Sequence, residues 1–183
     1  MIAPAMPDQD RAVEVHSEQA PAFAARYATD DPYSSYFAYS RMRLDLLLDA
    51  YLPPTDDSPK LLDVGCGTGN QLAEWGRIGY EASGVEPSER MLEYARRNNP
   101  RADIRLATAD RLPYGDGEFD RVVSIEVLRY LADPRECIAE MARVLKPGGI
   151  CLVTAAPLLS LNGYPLVNRI ALALARTSHL LPE

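Results

Sequence analysis

The sequence predicts an α/β domain in which helices cover both faces of a parallel sheet. Three observations predict it. From Lys60 onward, short apolar runs alternate with segments of helical period. All eleven glycines lie between Gly65 and Gly163, which sets a helical N-terminal arm apart from a turn-rich core. At 183 residues the chain can bury one core of ordinary size and is too short for two. The expected division is an arm with an aromatic lid and linker over residues 1–59, then a core over 60–183.

In the arm, Pro4 to Asp10 reads as mobile and Ser17 to Tyr27 as a short helix. An aromatic loop with Tyr33, Tyr36, Phe37 and Tyr39 follows. Leu44, Leu47, Leu48 and Tyr51 fall at i, i+3, i+4 and i+7, the inward stripe of a helix that Pro53 and Pro54 stop. In the core, Leu61 to Val64 is a strand, followed by a glycine loop and a helix from Gly69 to Ile78. Tyr80 to Val85, Ile104 to Ala107 and Phe119 to Ile125 read as further strands, and Ser88 to Asn98 as a helix with Met91, Leu92 and Ala95 inward. Asp133, Pro134 and Glu136 punctuate the start of the next helix, whose stripe is Ile138, Met141, Ala142 and Leu145. Lys146 to Gly149 ends that helix and Ile150 to Thr154 is a fifth strand. A last helical segment runs from Tyr164 to Arg176.

Composition excludes several functions. With 19 Lys+Arg against 26 Asp+Glu the net charge is −7, a poor match to phosphate backbones, so nucleic acid is not an expected partner. Three cysteines without CxxC spacing and two histidines give neither a zinc site nor a disulfide framework. No apolar run reaches membrane-spanning length, and no charged-then-apolar leader opens the chain. A cytoplasmic setting without stable membrane insertion is expected. The tail from Leu158 to Leu181 reads as a packing helix rather than an interfacial one.

The chemistry centres on Asp63-Val64-Gly65-Cys66-Gly67-Thr68-Gly69, placed where a strand turns into a helix. Its first glycine permits the turn, the second lets a ligand approach bare backbone, and the third lets the helix start close to the strand. Ligands of such sheets bind beyond the carboxyl ends of the strands, where the winding reverses. Glu86, ending the second strand, can accept hydrogen bonds from two vicinal ribose hydroxyls. Cys137 and Cys151 read as core thiols, and His16 as a surface residue.

Leu61 to Asn70, Gly84 to Arg90, Ala109 to Pro113, Phe119-Asp120 and Leu145 to Gly149 resemble, in order, motifs of the class I S-adenosylmethionine-dependent methyltransferases. The small-molecule group related to ubiquinone and menaquinone biosynthesis matches best. The resemblance implies a Rossmann-like, doubly wound, mostly parallel sheet of order 3-2-1-4-5. The family's sixth and seventh strands have no counterpart, so a C-terminally incomplete core is expected, with a second copy or a partner chain covering the edge of strand five.

The resemblance also implies the site. S-adenosylmethionine is the expected cofactor, with Gly65, Gly67 and Gly69 against its methionyl and ribose parts. Cys66 lies in the same cofactor-facing loop as a small residue, not as a nucleophile. Asp63 is similar to the acid that orients the loop and the cofactor's amino group, and Glu86 to the ribose acid. Asp110 matches the acid near the adenine amino group, with Arg111 and Leu112 beside the ring. Tyr27 is the arm's aromatic candidate near the methionyl group, where a ring face attracts a sulfonium. Glu126 to Tyr130 would line the methyl-transfer site, with Glu126 the candidate base and Arg129 where many relatives have histidine. The expected reaction is in-line transfer of a methyl group to an O, N or C nucleophile of a small molecule. The alternatives are a non-catalytic or partner-dependent S-adenosylmethionine-binding module and, less in keeping with the glycine spacing, a nicotinamide-dependent dehydrogenase.

Overall fold

A computed structural model describes residues 9–26, 44–46, 48–53 and 56–154, and the description is confined to them. It contains α1 (Gln9–Arg26), β1 (Lys60–Val64), α2 (Asn70–Arg77), β2 (Glu81–Glu86), α3 (Glu89–Asn98), β3 (Asp103–Leu106), β4 (Phe119–Ser124), α4 (Pro134–Val144) and β5 (Leu145–Val153). A short 3-10 turn, Leu128–Tyr130, lies between β4 and α4. Among the described residues the strands form one sheet in the order β3-β2-β1-β4-β5, the order the resemblance implied. Every pairing is parallel. The chain divides into two compact units: residues 1–27 with 53–155, and 28–52 with 156–183. Sheet, α1 and candidate site all belong to the first.

A parallel sheet buried on both faces needs continuous apolar strands rather than alternating ones. β1 and β4 meet that need: Leu61, Leu62, Val64, Val122 and Val123 are all fully buried. One core cluster joins Leu62, Val64, Val85, Phe119 and Val122 to Cys137, Met141 and Val144 of α4. Helix starts follow local chemistry. Ser88 caps α3 by accepting the Met91 N–H at 3.2 Å, and Asp133 caps α4 by accepting the Arg135 N–H at 2.9 Å.

Four features depart from the sequence reading. α1 starts at Gln9, so Gln9 and Asp10 form a first helical turn, where the acid suits the helix dipole. In α4 the buried positions are Cys137, Met141 and Val144, whereas Ile138 is 43% exposed and Ala142 faces solvent. Lys146 to Gly149, just past the end of α4, is not a separate turn but sits inside β5 as an irregularity, where the register passes from Phe119–Leu145 to Arg121–Ile150. Gly148 there has φ +78°, and a Cβ on Gly149 would lie 2.9 Å from the Asp120 carbonyl, so the bulge needs both glycines. Cys151 is exposed on β5, not a core thiol.

In the second unit, residues 44–46 and 48–51 are helical as expected, with Leu48 buried and Tyr51 55% exposed. Tyr27, the aromatic loop, Leu47 and the tail after Thr154 lie outside the described residues.

Candidate functional site

β1 delivers Asp63 and the glycine loop to the carboxyl edge of the sheet, and β2 delivers Glu86 to the neighbouring position. The loop turns by donating the Gly65 and Cys66 N–H groups to the Val85 carbonyl, at 2.9 and 3.0 Å. Its glycines have φ of +81°, +56° and +76°, a backbone region that costs a side-chain-bearing residue about 1–2 kcal/mol. Their surroundings differ. A Cβ on Gly65 would run into Val127 Cγ2, and one on Gly69 would meet Asn99 Nδ2 at 2.6 Å and the Ala95 Cα at 2.8 Å. At Gly67 the nearest atom among the described residues is Met91 Sδ, at 3.9 Å. Gly67 is therefore the position with room for a ligand against bare backbone. Gly69 instead lets the loop press on α3, a different role from the close start of its own helix.

Glu86 is buried, and both of its oxygens are held. Oε2 accepts the Gly67 N–H at 2.9 Å and Oε1 accepts the Ser88 N–H at 3.0 Å. Burial raises its pKa, and these two N–H groups pull it back down. Each oxygen keeps a further lone pair. Asp63 is also buried, and its Oδ1 has no hydrogen-bond partner among the described residues. Burial first, and then the Glu86 charge, push the Asp63 carboxyl up to about 8. An unpartnered buried oxygen of this kind is costly unless a donor arrives. The Cys66 thiol packs toward Gly84, where a Cβ would lie 2.8 Å from Sγ, and burial raises its pKa well above the usual thiol value. That is a packing residue in an acidic corner and no nucleophile.

A methyltransferase-domain family model matches residues 62–153, half of the chain. The chain belongs to the class I S-adenosylmethionine-dependent methyltransferases. Among curated relatives, methyltransferase GfsG of Streptomyces halstedii is 41% identical over 49% of this chain and 35% of its own length. The ubiquinone biosynthesis O-methyltransferase of Caulobacter vibrioides is 37% identical over 51% of this chain and 39% of its own. The chain thus spans well under half the length of these relatives. Among solved structures, the [4+2]-cyclase SpnF matches with a TM-score of 0.66 and 27% identity, over 80% of this chain and 60% of that one.

Within this methyltransferase domain the remaining expected residues are distributed unevenly. Asp110 and Arg111 are exposed in the loop after β3. Leu112 is not a surface residue beside them: it is 4% exposed and packs in the core cluster. Its N–H donates to Glu140 at 2.7 Å and its carbonyl accepts from Arg143 at 3.1 Å, so this backbone is tied to α4. Glu126 has φ +61° and is half exposed. Arg129 forms a half-exposed ion pair at 3.1 Å with this carboxylate, which the sequence offered as a base.

Other parts of the site carried no sequence signal. Asn98 Nδ2 donates to the Thr68 carbonyl at 3.0 Å and Asn99 Nδ2 to the Gly69 carbonyl at 2.8 Å, so the end of α3 locks the loop's conformation. The dipeptide reads locally as a helix stop before Pro100, and nothing in its spacing announces a partner thirty positions away. His16 is half-buried against Tyr130, with ring centroids 4.6 Å apart, and is not the surface residue expected.

Proposed function

We propose that this chain binds S-adenosylmethionine at the carboxyl ends of β1 and β2 and transfers its methyl group, in line, to an O, N or C nucleophile of a small molecule. One observation carries the reading: two buried carboxyls, Asp63 and Glu86, lie close enough for the charge of one to act on the other, and Glu86 holds Gly67, the loop glycine with open space among the described residues. The residues fit the group. Asp63 Oδ1 lacks a donor and suits an ammonium, while the spare lone pairs of Glu86 suit a pair of vicinal hydroxyls. Asp110 and Arg111 border the adenine end. When bound, the cofactor supplies a methyl group already activated on a sulfonium. What remains for the chain is to orient the reactants and keep water away.

The pairing of Glu126 with Arg129 favours an acceptor that needs little help in losing its proton, such as a phenol or a carboxylate. A net charge of −7 supports a small molecule over nucleic acid. Three free cysteines support a cytoplasmic setting, and no helix among the described residues is long and apolar enough to cross a membrane. Among the described residues β5 pairs with β4 alone, which supports a second copy or a partner chain along its other edge. Light scattering that shows only monomer would remove that part of the proposal.

The same pairing, which engages the candidate base, favours one second reading, a module that binds the cofactor without transferring its methyl group. Calorimetric titration with S-adenosylmethionine and with a nicotinamide dinucleotide tests the cofactor, and incubation of a small-molecule extract with methyl-labelled cofactor tests transfer. Binding of the first ligand alone is expected, with label moving into small molecules. Glu86→Ala should weaken binding roughly tenfold to a hundredfold, the scale of lost hydrogen bonds to a charged acceptor. An unchanged affinity removes Glu86 from the site.

A further inference from the structure

Two consecutive residues of α1 reach both walls of the cofactor crevice. Ser17 Oγ lies 2.7 Å from Ser88 Oγ, two residues past the end of β2. His16 Nε2 lies 3.2 Å from the Tyr130 hydroxyl, six residues past the end of β4. In the sheet β2 and β4 flank β1, so these anchor points belong to strands about 9–10 Å apart. A helix bonded to both through adjacent residues spans the segments that follow β2 and β4, on either side of the glycine loop that follows β1. Space persists at the loop, because among the described residues a Cβ on Gly67 would have only Met91 Sδ within 4 Å.

The directions of these bonds are fixed by their surroundings. Ser17 Oγ donates to the Val13 carbonyl at 2.6 Å, so its proton is used and Ser88 must donate to it. His16 Nδ1 lies 2.6 Å from the Ala12 carbonyl, which can only accept, so Nδ1 carries a proton, and in that tautomer Nε2 accepts from Tyr130. Arg129 Nη2 donates to the same tyrosine oxygen at 2.5 Å, which leaves the hydroxyl proton free to point at His16. Both walls therefore donate to α1. The Ser88 contact also reaches the crevice floor, since the Ser88 N–H holds Glu86 Oε1 at 3.0 Å.

We propose that His16 and Ser17 are positioning residues for the cofactor: they dock α1 as a roof over the glycine loop and set how long an adenosyl ligand stays bound. Ser17 acts through Ser88 on Glu86, and His16 acts through Tyr130 on the turn after β4. The proposal rests on reading the crevice as an S-adenosylmethionine site.

The test uses the full chain and S-adenosylhomocysteine, with dissociation followed by stopped flow and α1 amides by hydrogen exchange. Ligand should slow exchange across residues 9–26. Ser17→Ala and His16→Phe should each raise the dissociation rate about tenfold, one hydrogen bond's worth. His16→Gln keeps an acceptor for Tyr130 where phenylalanine keeps only the ring, so it should restore slow dissociation. A helix that merely packs for stability would not distinguish Gln from Phe in this way. Dissociation rates unchanged in both Ser17→Ala and His16→Phe overturn the proposal, as do α1 amides indifferent to ligand. If His16→Phe does not fold, Ser17→Ala and the amide protection decide alone. Failure of the unaltered chain to bind S-adenosylhomocysteine overturns the cofactor reading itself, a different result from binding with an indifferent α1.

Discussion

Asp63 shows most directly how a residue can be unfavourable for the fold and useful at a site. Its carboxyl is buried with Oδ1 unpartnered, and burial followed by the Glu86 charge moves its pKa from 3.8 to about 8. Between those values the unfolded chain has released this proton and the folded chain retains it. The Asp63 contribution to stability is therefore full below the lower value and declines as pH rises toward the upper one. An arriving ammonium reverses the preference, because it favours the ionised carboxylate. Affinity for S-adenosylhomocysteine should accordingly rise from about pH 6 to about pH 8, and binding near neutrality should release a proton. Calorimetry in buffers of different ionisation enthalpy reads that release directly, and heats independent of buffer would remove Asp63 as the acceptor. Asp63→Asn should abolish the release and weaken binding while relieving the destabilisation of the unliganded protein at pH 8.

At the scale of the element, the glycine loop separates folding from binding within five residues. Gly67→Ala meets no close atom and bears only the left-handed backbone cost, so it should fold with a loss of about 1–2 kcal/mol. Its methyl group would nevertheless occupy the space left for ligand, and S-adenosylhomocysteine binding should fall by far more than stability does. Gly69→Ala should show the opposite balance, since its Cβ would run into the backbone of α3 at Ala95. Comparing thermal unfolding with ligand affinity for the two variants checks the assignment, and equal effects on both would refute it. The loop, the cap Asp133 and the acid Glu86 were legible because each is marked by residues near it in sequence. The clamp by Asn98 and Asn99 was not, because it joins segments thirty residues apart. The stripe of α4 was misread for a related reason. Cys137 and Val144 are inward because of where β4 and β5 lie, and no helical period in the sequence states that position.

Across the whole molecule, the sheet order was reached through the order of family motifs, whereas the docking of α1 was invisible because single side chains, His16 and Ser17, make its bonds. The sheet has two chemically distinct ends. Its carboxyl end holds the glycine loop and the two buried acids Asp63 and Glu86, while its amino end is tied together by Asp120. Asp120 Oδ2 accepts the Lys60 N–H at 3.0 Å and its carboxylate meets Lys146 Nζ at 2.9 Å, so one side chain on β4 ties down β1 and β5 together. Lys146 first, helped by the Lys60 N–H, lowers the Asp120 pKa from its ordinary value. That contribution is present above the unfolded value of 3.8 and is lost as pH falls through the lowered one. The ion pair is partly exposed and screened, so Asp120→Ala should cost only about 1 kcal/mol at neutral pH, or roughly 2–4 °C in Tm. The central strands β1 and β4 between the two ends hold fully buried residues, Leu61, Leu62, Val64, Val122 and Val123, so this loss should leave affinity for S-adenosylhomocysteine unchanged. Glu86→Ala should do the reverse, losing affinity with little change in Tm, because removing it also removes a buried acid that burial disfavours. A thermal-shift and titration comparison of these two variants tests whether stability and binding reside at opposite edges of one sheet. If Asp120→Ala alters affinity as much as Glu86→Ala does, the two ends are coupled and that separation is wrong.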